Sequence, residues 1–157
     1  GDEPFAVILA DDLCDCDESG VISQLIEIYN QYKCSVVAIE EVPMNQTSKY
    51  GIISGNLVGN SNNTYQVTEM IEKPEEHNSP SNMAIIGRYI LTPDIFDILK
   101  NIKPDNNGEI QITDALNTQA KKGKVLAYKF KGKRFDCGGV KGYINATNFL
   151  ASKTGIL

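Results

Sequence analysis

Three short stretches carry the side chains that could do chemistry. In VILADDL (Val7–Leu13) an apolar run ends on two carboxylates, Asp11 and Asp12. Ligands of open α/β sheets sit outside the carboxyl ends of strands. A hard cation such as Mg2+ takes one or two carboxylates and keeps room for water and phosphate. The plain alternative is that the two acids cap or turn the chain. The second stretch is Glu72-Lys73-Pro74, where opposite charges stand together and proline stops a strand. A glutamate there can accept from hydroxyls, and a lysine offers a point charge to phosphate. Taken alone, the pair reads more simply as an exposed ion pair worth under about 1 kcal/mol. The third is Arg134-Phe135-Asp136-Cys137-Gly138-Gly139. An acid at a strand end precedes two glycines, which suits either backbone lying against a ligand or a tight strand-to-helix turn.

Other candidates fall away. Asp15-Cys16-Asp17-Glu18-Ser19-Gly20 matches the first half of an EF-hand loop, but its twelfth position is Ile26, where a bidentate Glu is needed. No useful helix precedes Asp15, so the stretch reads as a solvated turn. Cys14, Cys16, Cys34 and Cys137 show no secreted-domain spacing, and the one histidine is His77, in a polar loop. Reduced thiols in a cytoplasmic protein are expected, without structural zinc. Lys121, Lys122, Lys124, Lys129, Lys131, Lys133 and Arg134 read as a solvated basic face, part of it steering anions towards Asp136. Glu109 is expected near a helix N-terminus, where an acid is favourable.

The elements that must position these residues alternate between strand and helix. FAVILA reads as a strand apolar on both faces, hence covered on both. Apolar spacing predicts a helix over Val21–Tyr32 with Ser19 as N-cap, and CSVVAIEEV (Cys34–Val42) a second strand. Phe5–Val42 is therefore expected to be one βαβ unit with parallel strands and a right-handed crossover. A Gly/Asn/Ser-rich stretch, Pro43–Asn63, holds a short strand at Tyr50–Ser54 and turns at Gly55-Asn56 and Gly59-Asn60. Strands follow at Tyr65–Ile71 and Met83–Leu91, around a loop at Pro74–Asn82. Thr92-Pro93-Asp94 should open a helix running to about Ile102, with Thr92 as N-cap. A turn at Pro104–Gly108, a helix at Thr113–Lys122 closed by Gly123, a pair of strands around Gly132 and a last helix at Gly139–Ser152 complete the chain.

Bulk properties narrow the function classes. With 157 residues the chain suffices for one domain with a proper core. Its net charge of −5 argues against nucleic acid or an anionic membrane as partner. No apolar run approaches the roughly 20 residues of a membrane helix, and no signal peptide is visible.

In order and spacing, GDEPFAVILADD, Tyr50-Gly51, MIEKP, SNMAIIGRYIL, GEIQITDAL and KRFDCGGVKGYINA resemble the bacterial UTP–glucose-1-phosphate uridylyltransferases (UDP-glucose pyrophosphorylases). These belong to the wider sugar-1-phosphate nucleotidyltransferases. The resemblance spans almost the whole chain. It implies a Rossmann-like, glycosyltransferase-A-type α/β fold with a mostly parallel sheet and helices on both faces. It implies Mg2+ held by Asp11 and Asp136, with Asp12 a less regular member of the pattern. Glu72 would accept from glucose hydroxyls, Lys73 would hold the sugar phosphate, and Gly51 would let the backbone approach the sugar. Ile86 and Gly87 would line the same pocket.

The family's Gly-rich UTP loop and its uracil-reading residues find no counterpart here. The resemblance thus implies a missing nucleotide-binding half on the order of 100 residues, leaving residues 1–157 as the sugar-phosphate-binding, C-terminal portion. The implied reaction joins UTP and glucose 1-phosphate into UDP-glucose and pyrophosphate, in a homo-oligomeric parent, with this segment inactive alone. The rivals are a relative using dTTP or another sugar phosphate, and a non-catalytic sugar-phosphate-binding module. An unrelated phosphatase is disfavoured, because Asp11-Asp12 lacks the Asp-x-Asp nucleophile pattern.

Overall fold

Why an apolar strand stops at two acids is answered by where the chain must go next. In the computed structural model, which describes residues 1–105 and 107–156, β1 (Phe5–Ile8) ends before the acids. The chain turns through Asp11, and Asp12 opens a second strand, β2 (Asp12–Asp15), in a different sheet. The expected solvated turn at Asp15–Gly20 is therefore shortened by a strand that no β-forming pattern announces. The helix α1 (Val21–Tyr32) has the predicted bounds, but its N-cap is Gly20. The Ser19 carbonyl accepts from the Gln24 side chain instead.

In chain order follow β3 (Ser35–Glu41), a 3-10 turn at Met44–Lys49, β4 (Gly51–Leu57), β5 (Thr64–Glu72) and β6 (Met83–Leu91). Then come α2 (Ile95–Leu99), α3 (Ile112–Ala120), β7 (Val125–Lys129), β8 (Lys133–Asp136) and α4 (Val140–Lys153). The turn expected at Gly55-Asn56 lies inside β4, where the register against β5 shifts at Ser54/Gly55. A Cβ on Gly55 would stand 2.5 Å from the Gln66 carbonyl oxygen, so this glycine marks a bulge and close approach. The helix expected from Thr92 to about Ile102 spans only Ile95–Leu99, and the Thr92 hydroxyl donates to Asp94 instead of capping it. The predicted Pro104–Gly108 turn contains Asn106, which lies outside the described residues. Gly123 closes α3 as expected, with φ +70°.

The main sheet runs β1-β6-β3-β7-β5-β4. β1, β3, β4 and β7 share one direction, while β5 and β6 oppose them, so β3 and β7 are the parallel neighbours. β1 and β3 run in the same direction, as the expected βαβ unit requires, but they are not neighbours. β6 lies between them, antiparallel to both, because its apolar run is buried on both faces and takes the central place. The pair of strands around Gly132 also separates: β7 stays in the main sheet, and β8 pairs with β2 in a two-stranded sheet.

Side-chain parity divides the core. Val37, Ile39, Ile85, Tyr89 and Ala127 face α2 and α3, whereas Val36, Ala38, Ile86 and Ile90 face α1. Helices thus cover both faces of the sheet, as expected for this α/β class, but the sheet is mixed where a mostly parallel one was expected, because β5 and β6 run against their neighbours. β1 departs from expectation. Phe5 and Val7 pack on the core, but Ala6 and Ile8 face outward, and Ile8 is 58% exposed.

Candidate active site

The site forms where two strands part along one edge of β6. β1 pairs with Arg88–Leu91, and β4 pairs with Met83 and Ala84. Since β3 occupies the other edge, residues 85–87 of β6 lie between the β1 and β4 ladders, with Gly87 bonded to Leu9 and Asp12 beside the turn. A cleft of about 370 Å³ opens there. It draws on Asp11 and Asp12 from the β1–β2 turn, Gly51 from β4, Glu72 and Lys73 from the end of β5, Thr113 from α3, and Asp136 from the end of β8.

The structure brings Asp11 and Asp136 together. Their pairing is set by the β2–β8 ladder, in which Asp12 stands opposite Asp136, and by the Cys137 amide donating to the Asp11 carbonyl at 2.7 Å. Oδ2 of Asp11 and Oδ1 of Asp136 both lie 3.2 Å from the position a Cβ on Gly138 would occupy. Both carboxylates are open to solvent. Among the described residues no group of three or more His, Cys, Asp or Glu converges as a metal cage. Two carboxylates facing an open cleft are the donor set that suits Mg2+ shared with phosphates, not a closed structural metal.

Asp12 is placed differently from Asp11. It is buried, its Oδ2 accepts from the Gly87 amide at 2.9 Å, and its Oδ1 pairs with Arg134 Nε. Those bonds occupy it structurally. Gly87 lines the cleft, but the space beside it belongs to the protein. A Cβ there would meet Leu9 Cβ at 2.5 Å and Asp12 Oδ2 at 2.7 Å. Ile86 does not join the cleft. It is 1% exposed and points through the opposite face of the sheet into the α1 core, as alternation along a strand requires. Ile85 and Gly87, on either side of it, take the cleft positions.

Glu72 and Lys73 enter together. Thr113 donates its hydroxyl to Glu72 Oε2, and a Cβ on Gly51 would press on both, at 3.1 and 3.2 Å. Lys73 Nζ lies 3.9 Å from Glu72 Oε1. The Lys73 backbone sits at φ +44°, held there by its amide donating to the Tyr50 carbonyl at 2.9 Å. A non-glycine residue in that region is held by its surroundings at a cost of about 1–3 kcal/mol, and such strain gathers at ligand sites.

Arg134, expected on a solvated face, is the principal correction. Its side chain is 5% exposed and is shared among Asp12, Glu40 at 2.6 Å and Asp136 at 3.7 Å. The Tyr50 ring lies over the guanidinium, 5.0 Å from centroid to Cζ. Burial works against the charge. The oxygens of Tyr50, Glu40 and Asp12 outweigh it and raise the pKa above the ordinary arginine range. Burial likewise raises the Tyr50 phenol and, with Glu72 and Asp12 nearby, pushes Tyr89 on the cleft floor up to about 12. No residue type near Arg134 signals its burial; a charged residue inside KGKRFD looks exposed until β8 is seen to pair with β2. Thr113 was equally silent, being one hydroxyl in a helix start. Tyr50 had one signal, its place directly before Gly51.

The remaining candidates lie elsewhere. His77 is exposed beside Glu75, and Glu109 is exposed before α3, its carboxylate accepting from Gln111. All four cysteines are free. No helix is long and apolar enough to cross a membrane among the described residues. A larger cleft, about 680 Å³, lies between α1, β8 and α4. Its Lys153 is already paired with Asp15 and Asp17, and it holds none of the converging residues.

A family model described as nucleotidyl transferase matches residues 1–153. A UTP–glucose-1-phosphate uridylyltransferase of Pseudomonas aeruginosa is 59% identical over 150 residues, covering 95% of this chain and 53% of that protein. One from Staphylococcus epidermidis is 42% identical, covering 94% and 50%. A solved UDP-glucose pyrophosphorylase complexed with UDP-glucose superposes with a TM-score of 0.92 at 55% identity, covering 98% of this chain and 58% of the other. The chain thus spans about half the length of the curated relatives it matches.

Proposed function

The chain belongs to the nucleotidyl transferase family, and on that premise we propose that, within a protein of its relatives' length, it forms UDP-glucose and pyrophosphate from UTP and glucose 1-phosphate. This segment supplies the sugar-phosphate end of the site. The observation that carries the reading is the convergence of Asp11, Asp136, Glu72 and Lys73 on one cleft from three separate parts of the chain. The names of its relatives support the same substrates.

The chemical obstacle is that two anions must meet. A phosphate oxygen of glucose 1-phosphate attacks the α-phosphorus of UTP, and pyrophosphate leaves in line. Catalysis is then positioning plus charge neutralisation, with no covalent enzyme intermediate. Lys73 sets its charge against the sugar phosphate. Glu72, held by Thr113, accepts from glucose hydroxyls. Asp11 and Asp136 would hold Mg2+, which when bound would supply charge neutralisation for the phosphates. Asp12, Gly87 and Arg134 keep the Asp11 turn and the Asp136 strand in register. The reading carries with it a cytoplasmic location, which free thiols suit. It also carries a homo-oligomeric parent, and neither nucleic acid nor membrane as partner, which the net charge of −5 suits.

Lys73→Ala tests the sugar-phosphate assignment. In a protein of the relatives' full length, KM for glucose 1-phosphate should rise roughly ten- to a hundredfold, the worth of a hydrogen bond to a charged group. KM for UTP should change little in steady-state pyrophosphate release. An unchanged KM for the sugar phosphate would remove Lys73 from that role. Thr113→Val frees the Glu72 carboxylate and should raise the same KM about tenfold, with a smaller effect on kcat. If isothermal titration with glucose 1-phosphate gave wild-type affinity for that variant, Glu72 would not need Thr113 to bind sugar.

A further inference from the structure

Tyr50 and Arg134 close on the same oxygen of Asp136. The Tyr50 hydroxyl donates to Oδ2 at 3.0 Å, and Arg134 Nη2 lies 3.7 Å from that atom. The other oxygen, Oδ1, accepts from the Gly138 amide at 3.1 Å and, like Asp11 Oδ2, lies 3.2 Å from the position a Cβ on Gly138 would take. An aspartate carboxylate turns easily about its last bond, whose energy profile is broad. Asp136 is 45% exposed, so packing alone does not fix that rotation. Arg134 cannot follow it, because Nε and Nη1 are committed to Asp12 and Glu40.

Tyr50 is anchored independently of Asp136. Its amide donates to the Thr47 carbonyl at 3.1 Å, its carbonyl holds the Lys73 amide at 2.9 Å, and its ring rests on the Arg134 guanidinium. One residue therefore joins the strained Lys73 backbone to the Asp136 carboxylate.

We propose that Tyr50 is a positioning residue, which, braced on Arg134, sets the rotation of the Asp136 carboxylate so that Oδ1 faces Asp11 and the pair is preformed for a divalent cation. The proposal rests on the reading of Asp11 and Asp136 as the metal-holding pair. Hydrogen-bond partners behind metal ligands are worth about 10–100-fold in metal affinity, and a single hydroxyl belongs at the lower end.

The test is Tyr50→Phe, which keeps the ring over Arg134 and removes only the hydroxyl. It is made in a protein of the relatives' full length, beside wild type and Asp136→Asn. Mn2+ binding in the presence of UDP-glucose is followed by electron paramagnetic resonance of the free ion. Tyr50→Phe should bind Mn2+ about tenfold more weakly. In turnover assays its Mg2+ activation constant should rise by a similar factor, with a smaller fall in kcat at saturating Mg2+. Mn2+ affinity within twofold of wild type, alongside loss of binding in Asp136→Asn, overturns the proposal and leaves the metal pair standing. Wild-type affinity in Asp136→Asn overturns the pair itself, and the proposal with it.

Discussion

Asp136→Ala, in a protein of the relatives' full length, should form UDP-glucose at least about a thousandfold more slowly than wild type. The estimate follows from what a Lewis-acidic cation contributes to a phosphoryl transition state, several kcal/mol, at about 1.4 kcal/mol for each factor of ten. The fold should survive the change. Asp136 is half exposed at the end of β8, and Arg134 keeps Asp12 and Glu40 when it is gone. Melting temperature and circular dichroism should therefore stay close to wild type while the rate collapses. Near-normal turnover would take Asp136 out of the site, and a matching loss of structure would make its role architectural.

Arg134→Leu should do the reverse and strike the fold first. Removing the guanidinium strands Asp12, which is buried and has Arg134 as its counter-charge. Breaking a buried pair by removing one partner costs about 3–5 kcal/mol. Urea denaturation should report a loss of that size. Asp12→Asn retains an acceptor for the Gly87 amide while removing the stranded charge. Arg134→Leu/Asp12→Asn should consequently be less destabilised than the two single losses added together. Strict additivity would show that the pair is not coupled and that the buried network does not hold the β1–β2 turn against β8.

What could be read from the residues, and what could not, divides along locality. The bounds of α1 follow from helical spacing, and those of β6 from an apolar run framed by turn residues. β2 was invisible because DLCD has no strand-forming pattern; it is a strand by virtue of β8, more than a hundred residues later. The same non-local logic places β6 between β1 and β3. An apolar run says that a strand is buried on both faces, but not which neighbours bury it. Among the site candidates, Asp11, Gly51, Glu72, Lys73, Gly87 and Asp136 meet in one cleft. Ile86 fails on strand parity alone, which its neighbours Ile85 and Gly87 would have revealed once the cleft-facing side was known. Arg134 went unrecognised for a physical reason. Nothing distinguishes a buried arginine from a surface one until its carboxylates arrive from other elements, here Asp12 and Glu40.

The proposed activity requires Asp11 and Asp136 to grip one cation beside the sugar phosphate. Crystals of a full-length protein carrying this segment, grown with UDP-glucose and Mn2+, would test that through the anomalous signal of the metal. The expected map has one peak in the cleft in direct contact with carboxylate oxygens of Asp11 and Asp136, with the glucosyl phosphate alongside and the glucose hydroxyls on Glu72. A bound UDP-glucose whose metal peak is coordinated by neither aspartate would contradict it.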